Sequence, residues 1–124
     1  MASIRKVDMT SNALDIRKVD SDWSLAARAV QPGPPERVEG MSVGIVTMTG
    51  DEPHGGEVHP DGDEFLYVIA GKLSVTCDSS PEAIEVGPDE GCIVPQGEWH
   101  KVSVLEPTQL LHMTPGPNGD HRPL

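Results

Sequence analysis

The stretch Glu64-Phe65-Leu66-Tyr67-Val68-Ile69 alternates in a way that suits an extended strand and little else. Successive side chains of a strand point to opposite faces. Glu64, Leu66 and Val68 therefore share one face, and Phe65, Tyr67 and Ile69 the other. The pattern is a half-buried strand with a carboxylate on its largely apolar face. An isolated buried charge is costly, so Glu64 needs a partner. Just upstream, Glu57 and His59 stand two residues apart, and a strand puts both on one face. Pro60-Asp61-Gly62-Asp63 between them has the composition of a turn, which folds Glu64 back toward His59.

The same alternation recurs along the chain. Met41–Thr49 reads as a strand with Val43 and Ile45 on one face. Gly71-Lys72 separates the Glu64 strand from Leu73-Ser74-Val75-Thr76-Cys77 and predicts a hairpin, with Gly71 supplying an unusual backbone angle. Ala83–Val86 and Cys92–Val94 read as short strands around the turn Gly87–Gly91. After the turn at Pro95, His100 opens a strand with Val102 and Val104 on its own face, and Leu110–Met113 closes the set. With 13 Gly and 12 Pro in 124 residues, many short strands joined by tight turns predict one all-β domain, a sandwich or barrel. Six to eight antiparallel strands are expected.

The amino-terminal third is less regular. Met1–Asn12 is polar and predicted to be frayed or extended. Ile4-Arg-Lys-Val-Asp8 recurs as Ile16-Arg-Lys-Val-Asp20, either a duplicated edge strand or chance. Asp20–Ala29 is compatible with one short helix, capped by Ser21 or Asp22, with Trp23, Ala26 and Ala27 on one side. Gln31-Pro-Gly-Pro-Pro35 marks a loop. The expected organisation is an amino-terminal arm over 1–39, a barrel over 40–114 and an irregular tail over 115–124, with His121 solvated.

Charge narrows the partners. The formal net charge is −11, and from Gly40 onward fourteen acidic residues face only Lys72, Lys101 and Arg122. Nucleic acid and anionic membranes attract the opposite sign, so neither is expected as a partner. Most of these carboxylates serve solubility. Cys77 and Cys92 sit in apolar strand patterns, where a thiol behaves as a small hydrophobe, and lack the spacing of a zinc motif. No apolar signal core or membrane-length stretch is present, and a cytoplasmic location is expected.

Two carboxylates and two imidazoles on neighbouring strands make a donor set for a divalent transition metal. Glu57, His59, Glu64 and His100 are the expected ligands. For Glu57 the alternative is a later strand start that leaves it facing water. Whether His54 or His112 lines the same pocket stays open.

The spacing His59–Glu64–Gly71, followed by Pro95-x-Gly97 and His100, resembles the two motifs of the cupin superfamily, in particular small single-domain bacterial cupins. The resemblance runs from about Val43 to Met113. Four positions depart from it. Glu57 replaces the first histidine, Asp51 and Asp89 replace the leading glycines, and Val104 replaces the final asparagine. The resemblance implies a jelly-roll barrel and a ligand set of two histidines and two glutamates. Fe, Mn, Ni and Zn all suit such a set. It also implies a homodimer and a small-molecule substrate, with dioxygenase, lyase or isomerase chemistry at the metal. The alternative is a non-catalytic module that binds a metal and a small ligand. No side chain is assigned as catalytic, and no organic cofactor is expected.

Overall fold

The computed structural model describes residues 3–124, so the first two residues of the polar amino-terminal segment lie outside it. Among the described residues there are nine strands and no helix. They are β1 (Asn12–Val19), β2 (Asp22–Ala29), β3 (Gly40–Met48), β4 (Gly56–Val58), β5 (Glu64–Cys77), β6 (Ser80–Val86), β7 (Gly91–Val94), β8 (His100–Gly116) and β9 (Asp120–Arg122). Every pairing is antiparallel, giving the all-β barrel expected from the alternation.

Two long strands organise it. β5 and β8 pair from Phe65↔Met113 at one end to Cys77↔His100 at the other. They are shared by two half-sheets. In the first, β7 flanks β5, and β3, β1 and β2 continue outward from β8. In the second, β6 flanks β5, and β4 and β9 continue outward from β8. The apolar faces of the halves meet in a core of Met48, Leu66, Val68, Leu73, Val75, Val86, Val94 and Leu110. Val68 and Leu73 are fully buried, a contribution of about 1.5–3 kcal/mol for each such side chain.

The ladder turns its corner where the register slips, between Val68 and Leu73. Gly71 adopts φ +92° there. A Cβ on it would collide with the Pro107 carbonyl oxygen and stand 2.5 Å from Thr108 Oγ1, so only glycine fits. The buried Thr108 hydroxyl accepts from the Lys72 N–H at 3.0 Å and donates to the Glu106 carbonyl at 2.8 Å. Gly71 is therefore a bulge inside one 14-residue strand, not the hairpin turn expected. Likewise His100–Val104 and Leu110–Met113 are two ends of one strand, β8. In both cases a continuous partner across the corner carries the hydrogen-bond ladder through a local irregularity.

The short helix considered for Asp20–Ala29 is strand β2 instead. Asp20 and Ser21 both take positive φ, 50° and 74°, and join the paired residues Val19 and Asp22. Two positive-φ residues in a two-residue loop make the type I′ turn whose twist suits a hairpin. Arg28 on β2 donates to Asp15 on β1 at 2.9 Å, a diagonal cross-strand pair. Of the repeated pentapeptide, only Ile16–Val19 is strand; Asp8 instead accepts from Thr10 and Ser11 in a turn. The tail is not wholly irregular either, because Asp120–Arg122 pairs with β4 as β9. Among the described residues no helix is long and apolar enough to cross a membrane.

Candidate metal centre

The four expected residues reach one point from three elements. Glu57 is on β4 and His100 opens β8, and the two are direct cross-strand partners. His59 follows β4, and Glu64 opens β5 after the Pro60–Asp63 turn. One nitrogen or oxygen atom of each lies within 4.8 Å of the others. His59, Glu64 and His100 are buried, and the Glu57 side chain is largely so. His100 Nε2 is 3.0 Å from Glu64 Oε1. His59 Nε2 lies 3.2 Å from Glu64 Oε2 and 3.4 Å from Glu57 Oε2. The later-strand alternative for Glu57 does not hold, since it is in register on β4.

His59 decides whether a cation fits. It is 2 % exposed, and among the described residues neither ring nitrogen makes a hydrogen bond. Nε2 is near two carboxylate oxygens by distance, yet neither meets hydrogen-bond geometry. Buried polar atoms rarely go without a partner. A divalent ion at the point where these donors converge would satisfy Nε2. The His100 tautomer suits the same role, because Nδ1 faces the Glu98 carbonyl at 3.3 Å. Nδ1 carries a hydrogen there, while Nε2 donates to Glu64 Oε1 at 3.0 Å in the absence of an ion and would turn its lone pair to one on losing that proton. These four residues could hold a metal.

The charges show the same convergence. Burial works against a charged His59, but the Glu57 and Glu64 carboxylates outweigh it and raise its pKa to about 9. Burial also opposes a charged His100, and Glu64 again carries it upward. Burial would lift Glu64, whereas His100, His59 and Thr114 together hold it far below the carboxylate range. Glu57 is lowered on balance too, with burial opposed by His59 and, more weakly, by Arg37.

Sequence reasoning left two histidines open and did not raise Thr114. His112 lines the cavity that contains Glu57, Glu64 and His100, a space of about 960 Å³. Thr114 Oγ1 donates to Glu64 Oε2 at 2.7 Å and lies 2.9 Å from His112 Nδ1. With the hydroxyl hydrogen committed, Thr114 accepts from His112 Nδ1–H. Burial lowers the His112 pKa, so the ring is neutral and Nε2 holds a lone pair. Gly44, opposite His112 on β3, makes room for it; a methyl there would stand 2.6 Å from Nε2. Alternation along β8 pairs His112 with Leu66, on the face of Glu64, and this was the available signal.

His54 also lines the cavity, 3.2 Å from Glu57 Oε1, and its Nε2 makes a short contact with Glu52. Glu52, His54 and Glu57 form a second cluster. The Gly56 N–H donates to His54 Nδ1 at 3.2 Å, which places the ring hydrogen on Nε2. That tautomer donates to the carboxylates and has no lone pair there for an ion. His54 therefore acts as a hydrogen-bonding support for Glu57. His121 is exposed, as expected.

Residues 44–114 match the Cupin domain family. No curated protein matches the sequence significantly. Among solved structures, a cupin-2 domain protein from Shewanella frigidimarina is 23 % identical, with TM-score 0.52 over 60 % of this chain and 70 % of that one. The protein BH2720 from Bacillus halodurans is 26 % identical, with TM-score 0.53 over 67 % of this chain and 70 % of that one. Oxalate decarboxylase from Bacillus subtilis is 19 % identical, with TM-score 0.55 over 70 % of this chain but only 24 % of its own. At such identities the likeness is one of fold. With the family matched over more than half of its length and its motif residues gathered in one buried cluster, the chain belongs to the cupin domain family.

Proposed function

We propose that the chain is a metal-dependent cupin acting on a small organic molecule, with Glu57, His59, Glu64 and His100 holding a divalent Fe, Mn, Ni or Zn ion. The observation that carries this is the buried His59 Nε2, unbonded and facing two carboxylates beside a large cavity. When bound, such an ion supplies a Lewis acid for a substrate oxygen. The rest falls to the chain. His54 and Thr114 orient Glu57 and Glu64. His112 Nε2, neutral and at the cavity wall, is placed to take a proton from a bound molecule. The fold does not select among dioxygenase, lyase and isomerase chemistry.

In the same reading, residues 40–114 are the central barrel, and the 1–39 arm and 115–124 tail belong to the same domain, joined to it through β1, β2 and β9. The protein works as a cytoplasmic homodimer. Exposed Trp23 and Leu25 on the edge strand β2 support a partner there, and the free thiols of Cys77 and Cys92 suit a reducing compartment.

The test is to load the protein with each metal, challenge it with a chelator, and measure retained metal in the parent and in His100→Ala. The variant should keep its fold and retain less. Full retention by the variant would remove His100 from the site. Oxygen uptake and product analysis against diketones, phenols and thiols then separate an enzyme from a binding module. Retained metal with no turnover favours the module.

A further inference from the structure

The cavity beside the metal centre contains a cation that the fold leaves unmatched. Arg37 lines it, half-buried, on the loop between β2 and β3. Its acidic neighbours in sequence are engaged elsewhere: Glu36 with Arg28 at 3.6 Å, Glu39 with Arg17 at 3.6 Å. Arg28, in the same cavity, is fully occupied by Asp15 at 2.9 Å, Ser42 at 3.0 Å and Glu36. Arg37 itself makes no hydrogen bond or ion pair among the described residues. A charge half-withdrawn from water without a counter-ion is costly.

Its position is specific. A methyl at Gly119 would stand 2.6 Å from Arg37 Nη1 and 3.2 Å from His59 Nδ1. The guanidinium therefore lies beside the His59 ring, and the glycine leaves space for both. The charge of Arg37 also reaches Glu57, which it helps to keep ionised. Charge balance then indicates the ligand. Glu57 and Glu64 offset a divalent ion, which leaves Arg37 as a positive charge beside the His59 ring; Lys101, also on the cavity wall and without an ion pair among the described residues, is a second one, but a single ammonium lacks the fork of a guanidinium. A planar guanidinium fork matches a carboxylate by two parallel hydrogen bonds.

We propose that Arg37 anchors an anion subsite next to the metal centre, and that the cavity takes a small organic carboxylate with a second oxygen donor for the ion. This rests on the metal-site reading above and adds the class of substrate to it. The loop from Gln31 to Val38, which also lines the cavity, carries the anchor, so one face of the bound molecule meets the barrel and the other meets this loop.

The experiment uses glycolate and its neutral analogue glycolamide as probes, titrated by calorimetry and by amide chemical shifts. Parent, Arg37→Gln and Arg37→Lys proteins are compared, each metal-free and with Zn(II), with zinc content measured by mass spectrometry. The expected result is binding of glycolate in preference to glycolamide. Arg37→Gln should weaken glycolate at least about tenfold, which corresponds to about 1.4 kcal/mol, while leaving zinc content unchanged. Arg37→Lys should fall between the two. Equal affinity for acid and amide, equal glycolate affinity in parent and Arg37→Gln, or no glycolate binding in either form overturns the proposal. If zinc does not bind, the metal reading fails separately, and the metal-free titrations decide the anion subsite by the same criteria.

Discussion

Metal-free protein should lose stability as the pH rises from neutral to alkaline. Folding raises the His59 pKa from 6.5 to about 9, because two carboxylates surround a buried ring. A group raised in this way stabilises the folded state while it is protonated. Its contribution is complete below 6.5 and is lost as the pH climbs through about 9. At about 1.4 kcal/mol per pKa unit, the difference is about 3 kcal/mol, a large part of a typical domain's total. His100 is shifted in the same direction and adds to the slope. Glu64 is shifted the other way, so its contribution is present above about 4.5 and lost only in acid. The metal-free protein should therefore be most stable between about 4.5 and 6.5. The assay is urea denaturation of chelator-treated protein at pH 6 and pH 9.5, with His59→Gln as the control for general charge repulsion. Loading with zinc should reverse the trend, since a metal needs the deprotonated ring. Parent stability that is flat over this range, or a slope unchanged in His59→Gln, would refute the argument.

Glu57→Gln should keep the fold and weaken divalent-ion binding by more than the tenfold to roughly hundredfold typical of losing a supporting group. Glu57→His should retain metal and shift preference toward Ni(II) or Cu(II); competition titrations that find both variants equal to the parent would place Glu57 outside the ligand set. Gly71→Ala should lower stability by more than about 1 kcal/mol in thermal or urea unfolding, because alanine is strained at this φ and its methyl would meet Pro107 and Thr108.

The strand faces around the centre were legible because burial imposes a period of two. Glu64, Leu66 and Val68 are all buried, while their neighbours on the strand are not. The four clustered side chains were legible for the same reason, each at a fixed offset from a turn. What was missed depends on distant pairing. Gly71-Lys72 between two alternating runs looks the same whether the chain reverses or bulges, and only β8 decides it. Trp23, Leu25 and Ala27 satisfy a strand as well as Trp23, Ala26 and Ala27 satisfy a helix, and the Asp20-Ser21 turn settles the choice. β9 has three residues and exists because β4 offers it an edge. Thr114 and Arg37 carry no local signal, since their places beside Glu64 and His59 are set by residues far away in sequence.

The shared ladder of β5 and β8 has a mechanical consequence. Glu64 opens one end of β5, and His100 is paired with Cys77 at the other end. Laid flat, those ends would stand roughly 40 Å apart at about 3.3 Å per residue. In the folded protein the two side chains are 3.0 Å from each other. The corner at Gly71 and Thr108 therefore sets the separation of two arms whose tips carry Glu64 and His100, two of the four proposed metal donors. By leverage, a change of a few degrees in the angle of that corner would be magnified along both arms, so a substitution at Gly71 or Thr108 would shift the spacing of the proposed donors without touching any of them.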